Sequence, residues 1–454
     1  LVFSIGLNYN IQDGIVIILK NMDNMVYWKT SMDPIYTAIF YVFSFISVYV
    51  QIFFLVTFLE KKKKIIKHGE NLELSYYPTV TVAVPVYNEE DTIIKTTRSL
   101  LALDYPKDKI KIIIVDDGSK DNTWDVVQEF KDNPNVTLIK KENGGKHTAV
   151  NLALEHSTAE FFGCLDSDSL VHPQALKRIL KYFERDPKTM AVAPSIIVYN
   201  PNNLIQHAQS VEYDMSIYTK KMLGFMGGIH VTPGPFSIFR KKVFDELGPY
   251  KKAHNTEDQE IALRMQEHGY KIDHCPDAYV YTNTPNNVMK LYRQRLRWIY
   301  GFIKNLIDYR HMLFKKKYGT VALFTLPSGL VGIIGVIFLF INVTGNIIKF
   351  IYNKVIELNT VGITNFFSFH YKFDWFFLNT KAVLFFSVIL YILVIVSVLI
   401  GRRMAEGKTG FPISIIYFMI IYSIVAPFWM LRAIYNALRS KESSWTMERR
   451  VVKQ

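Results

Sequence analysis

The fold is decided by the segment TVTVAVPVYNEE at 79–90, an apolar run that ends in polar residues. Its β-branched part, 80–86, predicts a buried strand that is followed by Tyr87, Asn88 and Glu89. Further apolar strands, each preceded by a helical segment, are predicted at 111–115, 136–140 and 160–166. Because apolar strands alternate with helices, we expect an α/β domain whose parallel sheet is covered on both faces.

Two acidic turns follow strands of this predicted sheet. Asp116 and Asp117 end the second strand, and Asp166 and Asp168 follow the fourth. The carboxyl ends of parallel strands meet at one edge of a sheet, so we expect these side chains to lie together. Carboxylate oxygens suit Mg²⁺ or Mn²⁺, and a cation would offset the repulsion among the acids. An ordinary strand-to-helix turn is the alternative for Asp116 and Asp117.

A glycine-rich loop, Asn143-Gly144-Gly145-Lys146, precedes a helix that is predicted from His147 onward. Glycine lets backbone N–H groups approach an anion, and Lys146 would add a positive charge at the helix N-terminus. The loop therefore predicts a phosphate contact, with a solvated lysine as the alternative. Its spacing is not that of a Walker motif, which argues against ATPase chemistry.

The segment Thr256-Glu257-Asp258-Gln259 opens an amphipathic helix. Thr256 and Gln259 predict a capping box, in which case the two acids only complement the helix dipole. The functional alternative is that one of the two carboxylates is a general base for an attacking hydroxyl group.

A further motif, QRLRW at 294–298, lies on a predicted helix that leads toward a hydrophobic run. Gln294, Arg297 and Trp298 are spaced i, i+3 and i+4, which places them on one helix face. Arginine binds phosphate bidentately, and tryptophan offers a flat surface to a sugar ring. A membrane-interface helix is the alternative, and Arg293 and Arg295 fit that alternative well.

Hydrophobic residues make up 50% of the 454-residue chain and are concentrated outside residues 60–315. Runs long enough to span a membrane cover 35–59, 318–341, 381–400 and 412–438. The net charge of +13 lies largely beside these runs, as in KKKK at 61–64. That placement predicts a cytoplasmic domain after the first span and argues against a nucleic-acid partner. The two cysteines, Cys164 and Cys275, predict buried thiols of a reducing compartment.

The membrane topology is left open by the pattern. Three spans after a cytoplasmic domain place the C-terminus outside, whereas Arg432, Arg439 and Lys441 favour the inside. Pro427 allows the last run to be a short span or re-entrant piece followed by an interfacial helix. The aromatic segment 342–379 is predicted to be a non-cytoplasmic loop with an interfacial part.

The ordered set of motifs resembles that of membrane-embedded processive family-two glycosyltransferases, such as poly-N-acetylglucosamine, hyaluronan, chitin-oligosaccharide and cellulose synthases. The motifs are PVYNE (85–89), DDGSKDNT (116–123), NGGK (143–146), DSD (166–168), PGPF (233–236), TED (256–258) and QRLRW (294–298). The resemblance covers about 78–300 and, in kind, the flanking helices. It implies a GT-A (Rossmann-like) α/β domain combined with α-helical transmembrane segments, and a nucleotide sugar held with Mg²⁺ or Mn²⁺.

The resemblance also implies roles for individual residues. Asp258 would be the catalytic base, supported by Glu257, and Asp166 and Asp168 would hold the metal. The residues that bind the nucleotide sugar would be Tyr87, Glu89, Asp116, Asp117, Lys146, Asp166, Gln294 and Arg297. The acceptor would contact Gly234, Pro235 and Trp298. Trp445, Thr446 and Arg449 resemble a gating element, although their W-x-x-x-R spacing departs from the hyaluronan synthase pattern.

The implied activity is processive, inverting synthesis of a β-linked polysaccharide from a UDP-sugar, with UDP-N-acetylglucosamine favoured. The enzyme would act at the cytoplasmic face of the plasma membrane and translocate its product. Its partners would be the UDP-sugar, the growing glycan, membrane lipids and an accessory subunit or a second copy. A single-transfer lipid glycosyltransferase acting on a polyprenyl phosphate or a sphingolipid is one alternative, and a non-catalytic export scaffold is another.

The predicted organisation has six segments. They are an extracytoplasmic or interfacial segment (1–34), a transmembrane helix (35–59), the GT-A domain (75–287), an interface helix with the QRLRW motif (288–316), a C-terminal transmembrane region (317–440) and a tail with the gating residues (441–454).

Overall fold

In the computed structural model, which describes residues 34–65, 72–361 and 382–439, the polar half of the chain folds around a mixed eight-stranded sheet. The strand order is β3-β2-β1-β4-β7-β6-β8-β5. The strands are β1 (Val80–Val86), β2 (Ile110–Asp116), β3 (Val136–Lys140), β4 (Phe161–Cys164), β5 (Ser169–Val171), β6 (Thr189–Val198), β7 (Ile238–Arg240) and β8 (Lys271–Thr282).

Strand direction changes along the sheet. Strands β1 to β4 pair in parallel, as the sequence predicts. Strand β7 is antiparallel to β4 and β6, and β5 is antiparallel to β8, while β6 and β8 are parallel. The predicted parallel sheet is therefore confirmed for β1 to β4, and the strands beyond β4, which the sequence analysis does not predict, make the sheet mixed. An apolar strand is buried equally well in either direction, so its composition does not report its direction.

Twelve α-helices are found among the described residues. They are α1 (Pro34–Lys61), α2 (Ile93–Leu101), α3 (Thr123–Val127), α4 (Lys146–Glu155), α5 (Ala175–Arg185), α6 (Leu204–Met226), α7 (Lys242–Leu247), α8 (Glu257–Glu267), α9 (Val288–Asp308), α10 (Leu326–Val361), α11 (Ala382–Glu406) and α12 (Ser414–Leu438). A π-helical turn at Val321–Thr325 leads into α10.

Both faces of the sheet are covered, as predicted. Alternate residues of β1 and β2 enter two different cores: Val82 and Ile112 belong to one, and Ala83 and Ile113 belong to the other. Full burial of such a side chain stabilises the fold by roughly 1.5–3 kcal/mol. This packing makes the sheet a rigid base for the polar residues at its edge.

Four helices are long and apolar enough to cross a membrane, namely 38–64, 321–356, 385–406 and 414–438. The predicted loop at 342–379 is wrong in its first part, because α10 continues to Val361. Apolar residues such as Ile347, Ile351 and Val355 continue there at helical spacing. The rest of that predicted loop lies outside the described residues.

The chain divides into two compact units. One comprises residues up to Tyr49 together with Phe338–Leu390, and the other comprises Val50–Ile337 together with the residues from Tyr391 onward. Helices α1, α10 and α11 contribute residues to both units, whereas α12 lies entirely in the unit that contains the sheet.

Candidate active site

The end of β2 presents two buried carboxylates, Asp116 and Asp117. Asp117 accepts a hydrogen bond from Lys141 Nζ at 2.6 Å and from the N–H groups of Gly144 and Gly145 at 3.0 and 2.8 Å. The anion that the glycine-rich loop binds in this structure is therefore a carboxylate of the protein itself. This contact holds the loop against the end of β2.

Asp116 has one satisfied oxygen and one free oxygen. Its Oδ1 accepts a hydrogen bond from Ser119 N at 3.0 Å, while its buried Oδ2 has no hydrogen-bond partner within the described chain. A buried acceptor without a donor costs about 1–3 kcal/mol. Asn88, in a left-handed conformation (φ 56°), donates its N–H to Ser119 Oγ at 3.0 Å, which ties the ends of β1 and β2 together. The free oxygen therefore points to a ligand that donates hydrogen bonds here.

Lys146 joins two acidic motifs that are far apart in sequence. Its Nζ lies 2.5 Å from Asp166 Oδ1 and 3.7 Å from Glu257 Oε1. Burial acts to lower the pKa of Lys146, but Asp166 and Glu257 together hold that pKa well above its usual value. The lysine is therefore a fixed positive charge at the centre of the site.

The loop around Gly234 approaches this lysine more closely than any side chain would allow. A Cβ atom at Gly234 would lie 2.8 Å from Lys146 Nζ and 3.3 Å from Asp166 Oδ1. Pro235 and Phe236 continue the loop, and Phe236 holds a strained φ of 63° while its N–H donates to Cys164 O at 2.6 Å. The absence of a side chain at position 234 leaves room beside the charged groups.

Asp168 is a carboxylate whose negative charge is disfavoured by its surroundings. Burial, together with the charges of Asp166 and Glu89, raises the pKa of Asp168 to about 7. Among the described residues no group of three or more His, Cys, Asp or Glu side chains is placed to hold a metal ion. The DSD turn thus offers two carboxylates, which fits a cation that takes its other ligands from water and a substrate phosphate.

Asp258 lies one residue inside α8. Burial and the neighbouring Glu257 raise the pKa of Asp258 to about 6, against the opposing charges of Lys146 and Arg297. Its carbonyl oxygen accepts from Thr232 Oγ1 at 3.0 Å and from Thr232 N at 3.2 Å, which fixes the first turn of the helix. A half-buried carboxylate with a pKa near neutrality has the properties of a general base.

The predicted capping box at Thr256 and Gln259 is wrong. Thr256 precedes α8 but makes no side-chain capping bond, and its hydroxyl donates to Ala253 O at 3.0 Å. The same hydroxyl accepts from Asn305 Nδ2 of α9 at 2.9 Å, and Gln259 Oε1 accepts from that amide at 3.4 Å. The two polar side chains dock α9 onto α8 and do not cap the helix.

Helix α9 touches α8 at a glycine. A Cβ atom at Gly301 would lie 2.3 Å from Thr256 Cγ2 and 2.4 Å from its Oγ1. About two turns further along, just after α9 ends, Tyr309 OH donates to Glu260 Oε1 at 2.8 Å. This close contact sets the position of the QRLRW motif, and it brings the charge of Arg297 near enough to lower the pKa of Asp258.

Arg295 belongs to the site, although the sequence suggested a membrane-interface role. Its guanidinium is buried, lies 4.1 Å from the centre of the Trp298 ring, and donates from Nη1 to Gln294 Oε1 at 2.5 Å. Glu212 of α6 accepts from Arg295 Nε at 3.1 Å and from its Nη2. Tyr422 of α12 donates to Glu212 Oε2 at 2.5 Å. Arg293, by contrast, is exposed.

Helix α6 carries polar residues that sequence reasoning missed. Burial lowers the pKa of Lys220 to about 8, against the opposing charges of Asp258 and Glu212. Burial, together with the charge of Lys220, lowers the pKa of His230 to about 4. One sequence signal could have revealed a polar face on α6. Polar residues recur there at intervals of four, namely Glu212, Ser216 and Lys220.

The structure brings most of the predicted residues together. A cavity beside the base is lined by Lys146, Gly234, Glu257 and Asp258, with Thr232 and Tyr250 among the other walls. Asp166 contacts Lys146, and Glu89 lies close enough to Asp168 to raise its pKa. Trp298 is 37% exposed. The predicted gating residues Trp445, Thr446 and Arg449 lie outside the described residues.

Comparisons with known proteins agree with this arrangement. Residues 81–248 match the family model of glycosyl transferase family 2. The poly-beta-1,6-N-acetyl-D-glucosamine synthase of Staphylococcus epidermidis is 25% identical over 375 residues, which are 81% of this chain and 85% of that protein. The synthase of the same name from Staphylococcus aureus (strain MSSA476) is 31% identical over 224 residues, or 49% of this chain and 54% of that protein.

A solved structure shares the fold. It is a mannosyltransferase from Pyrobaculum calidifontis in complex with GDP-Man and Mn²⁺, with a TM-score of 0.60 and 17% identity, over 90% of this chain and 100% of that one. The mixed sheet with its acidic edge is thus a GT-A glycosyltransferase domain. With the family-model match at 81–248 and these relatives, the chain is a glycosyltransferase, which confirms the predicted fold and enzyme class.

Proposed function

We propose that this glycosyltransferase is an inverting, processive synthase that builds a β-linked polysaccharide from UDP-N-acetylglucosamine. The observation that carries the proposal is the convergence of Lys146, Glu257 and Asp258 on one cavity, where Lys146 is also paired with Asp166 and the pKa of Asp258 is raised to about 6. The two staphylococcal relatives, whose names specify poly-β-1,6-N-acetyl-D-glucosamine synthesis, support the choice of sugar and of a polymeric product.

In the proposed reaction Asp258 accepts the proton of an acceptor hydroxyl as that oxygen attacks the anomeric carbon of the donor. The bond between the anomeric carbon and the diphosphate oxygen breaks, and UDP leaves with the electron pair. Lys146 and Arg297 stabilise the negative charge that develops on UDP. Asp258, whose pKa is raised to about 6, is assigned as the base, and Glu257, which lies 3.7 Å from Lys146 Nζ, supports it. One direct displacement inverts the configuration, and an α-linked UDP-sugar gives a β-linkage.

A divalent cation, Mg²⁺ or Mn²⁺, fits the DSD turn in this proposal. Asp166 and Asp168 would hold it, and when bound it would neutralise charge on the diphosphate. The raised pKa of Asp168 supports this assignment, because a bound cation would favour the ionised carboxylate.

The donor nucleotide and the acceptor would contact different residues of the site. Tyr87, Glu89 and the free Asp116 Oδ2 would meet the nucleoside. Asp117 would act by holding the glycine-rich loop, since its carboxylate already accepts three hydrogen bonds. On the acceptor side, Trp298 would stack on a sugar ring, Gln294 and Arg297 would contact the diphosphate, and Gly234 and Pro235 would form the floor.

We place the catalytic domain on the cytoplasmic face of the plasma membrane. The basic run 61–64 at the end of α1 supports that side. The product would then enter a passage formed by the C-terminal helices, and a second copy or an accessory subunit would widen it. Donor added outside inverted vesicles should yield polymer inside them, and polymer that stays outside would exclude export.

A donor panel tests the activity. The purified protein in detergent is incubated with each UDP-sugar and Mg²⁺ or Mn²⁺, and the products are analysed by mass. We expect release of UDP and a ladder of N-acetylhexosamine polymers, both absent in Asp258→Asn. One sugar added to a polyprenyl phosphate or a sphingolipid would identify a single-transfer lipid enzyme, and no UDP release from any donor would identify a non-catalytic scaffold.

A further inference from the structure

The apolar helix α10 is preceded by a turn of unusual geometry. Residues Val321–Thr325 form a π-helical turn, in which the N–H of Leu326 donates to the carbonyl oxygen of Val321, five residues earlier. Such turns are rare and are frequently found at functional sites. This one belongs to the compact unit that contains the sheet, so its contacts with the catalytic domain can be described directly.

The π-helical turn brings two threonines onto one side of the helix. Thr320 and Thr325 are five residues apart. In an α-helix five residues cover about 500°, so the two side chains would point about 140° apart. The i→i+5 hydrogen bonds of a π-helix instead place residues five apart nearly one above the other. Both hydroxyl groups can therefore reach the same neighbouring segment.

That segment is the floor loop, residues 226–235, which includes the proposed floor of the acceptor site. Thr320 Oγ1 donates to Met226 O at 2.6 Å, and Thr325 Oγ1 donates to Gly228 O at 2.9 Å. A Cβ atom at Gly228 would lie 2.7 Å from Thr325 Oγ1 and 3.2 Å from Thr320 Cγ2. Only glycine at this position lets the loop approach both threonines so closely.

The floor loop continues from these contacts into the active site. The carbonyl oxygen of Ile229 accepts from Gln266 Nε2 at 2.9 Å. Thr232 donates from its N–H and its hydroxyl to the carbonyl oxygen of Asp258 at 3.2 and 3.0 Å. Gly234 then lines the cavity beside the base. A displacement of the loop at its start would therefore move the wall of the acceptor site.

The π-helical turn is itself held in place by apolar packing on two sides. Val321 and Ala322 are fully buried and share a cluster with Leu263 of α8, the helix that begins with the catalytic acids. The ring of Phe324 lies 5.7 Å from that of Phe54 in α1. Because α1 and α10 are both long and apolar enough to cross a membrane, the turn joins two candidate spans to α8 and to the floor loop.

We propose that Thr320 and Thr325 are positioning residues, which fix the floor loop, and through it the acceptor, relative to the start of α10. The inference rests on the proposed function, in which Gly234 and Pro235 form the floor of the acceptor site. A reacting hydroxyl must be held within a fraction of an ångström of its best position, so a loosened floor weakens acceptor binding. An α-helical turn at this point would release one of the two hydroxyl groups, which gives the π geometry a specific use.

Valine substitutions test the two hydroxyl groups, because valine matches the shape of threonine but cannot donate a hydrogen bond. Thr320→Val and Thr325→Val should each raise KM for an acceptor oligosaccharide about 3- to 10-fold, with a smaller change in kcat and an unchanged Kd for UDP. Thr325→Ser keeps the donor and should stay close to the parent value. Thr344→Val, further along α10 in the other compact unit, is the control. An acceptor KM in Thr325→Val equal to that of the control would overturn the proposal.

The double variant tests whether both hydroxyl groups hold one loop. Side chains that act on the same loop are coupled, so the rise in KM for Thr320→Val with Thr325→Val should differ from the product of the two single rises. A rise equal to that product would show that the two threonines act independently, which contradicts the proposal.

Hydrogen exchange tests the position of the loop without any enzymatic reaction. The N–H groups of Gly228 and Thr232 are hydrogen-bonded, so their exchange reports opening of the floor loop. Mass spectrometry of peptides covering 226–235 should show exchange about 3- to 10-fold faster in Thr325→Val than in Thr344→Val. Equal exchange in the two variants would overturn the proposal whatever the enzyme makes. A parent protein that forms no polymer would instead contradict the proposed function, and the exchange result would still decide the role of the threonines.

Discussion

The guanidinium of Arg295 lies 4.1 Å from the centre of the Trp298 ring, so a buried cation supports the exposed aromatic surface of the acceptor motif. Glu212 holds the guanidinium from α6, and the Arg295 Nη1 group also reaches Gln294. Arg295 is therefore a positioning residue for two members of the QRLRW motif. It acts on the acceptor through Trp298 and is not itself expected to touch the reacting atoms.

Arg295→Lys should weaken acceptor binding more than it slows chemistry. Lysine keeps the charge but loses the planar fork that binds Glu212 and stacks on Trp298. A cation–π contact of about 1–2 kcal/mol corresponds to a rise of about 5- to 30-fold in KM for an acceptor oligosaccharide. Initial rates at varied acceptor concentration measure it. Arg293→Lys, on the exposed side of the same helix, is the control, and equal KM values for the two variants would contradict the positioning role.

Asp258→Asn should remove the general base without removing the nucleotide site. The expected loss in transfer rate is about 10²–10⁴-fold. Equilibrium binding of UDP should not weaken, because removing the negative charge of Asp258 leaves Lys146 and Arg297 free to interact with the diphosphate. Glu257→Gln is the matched control and should retain more activity. Near-normal transfer by Asp258→Asn would rule out its assignment as the base.

The pH dependence of transfer should follow the ionisation of Asp258. Because burial and Glu257 raise its pKa to about 6, the protonated and inactive form dominates below pH 6. We expect kcat/KM to fall about tenfold per pH unit below that value and to level off above it. A profile that stays flat down to pH 4.5 would assign the base to a carboxylate with an ordinary pKa.

The same pKa predicts a gain in stability from Asp258→Asn. The folded state binds the proton more tightly than the unfolded state, whose pKa is about 3.8, so stability is lost as the pH rises from about 4 to 6. Asparagine removes that loss. Above pH 6 the ligand-free variant should gain up to about 3 kcal/mol in the free energy of unfolding. Thermal unfolding at pH 5 and pH 8 checks this, and a gain that is equal at both values would contradict it.

Gly301→Ala should separate α9 from α8. The new Cβ atom would lie 2.3 Å from Thr256 Cγ2, so the helix that carries Arg297 and Trp298 must move. We expect a loss of about 1–3 kcal/mol in stability, together with reduced transfer. Adding Thr256→Ala should restore part of both. Gly332→Ala, where a Cβ atom meets nothing within 4 Å, is the control, and similar losses in both variants would refute the packing argument.

Asp168→Asn should weaken the dependence of UDP binding on a divalent cation. Asp168 must ionise to bind a cation, and its pKa of about 7 predicts that Mn²⁺-dependent UDP binding weakens below pH 7. Calorimetric titration of UDP with and without Mn²⁺ measures both effects in the absence of turnover. Asp104→Asn, on the surface, provides the control. An unchanged Mn²⁺ effect in Asp168→Asn would place the cation elsewhere.

Much of the site was predictable from local patterns. Strands β1 to β4 follow from β-branched runs, because such runs are buried in an α/β sheet whatever lies beyond them. The acidic turns after β2 and β4 lie at one edge because both strands pair in parallel with β1, although contact between the two turns stays a prediction. Lys146 does join Asp166 to Glu257. The capping box failed because the Thr256 hydroxyl is used by Asn305, which is distant in sequence.

The sequence by itself determined the alternation of strands and helices, the acidic sheet edge and the four apolar helices, because periodicity and burial are local properties of the chain. Only the tertiary structure decided the directions of β5 to β8, the burial of Arg295 beneath Trp298 and the polar face of α6. It alone also shows that α12 packs along α9. Those features depend on which helices and strands pack against each other. The spacing of residues within one helix or strand does not show which other element it packs against.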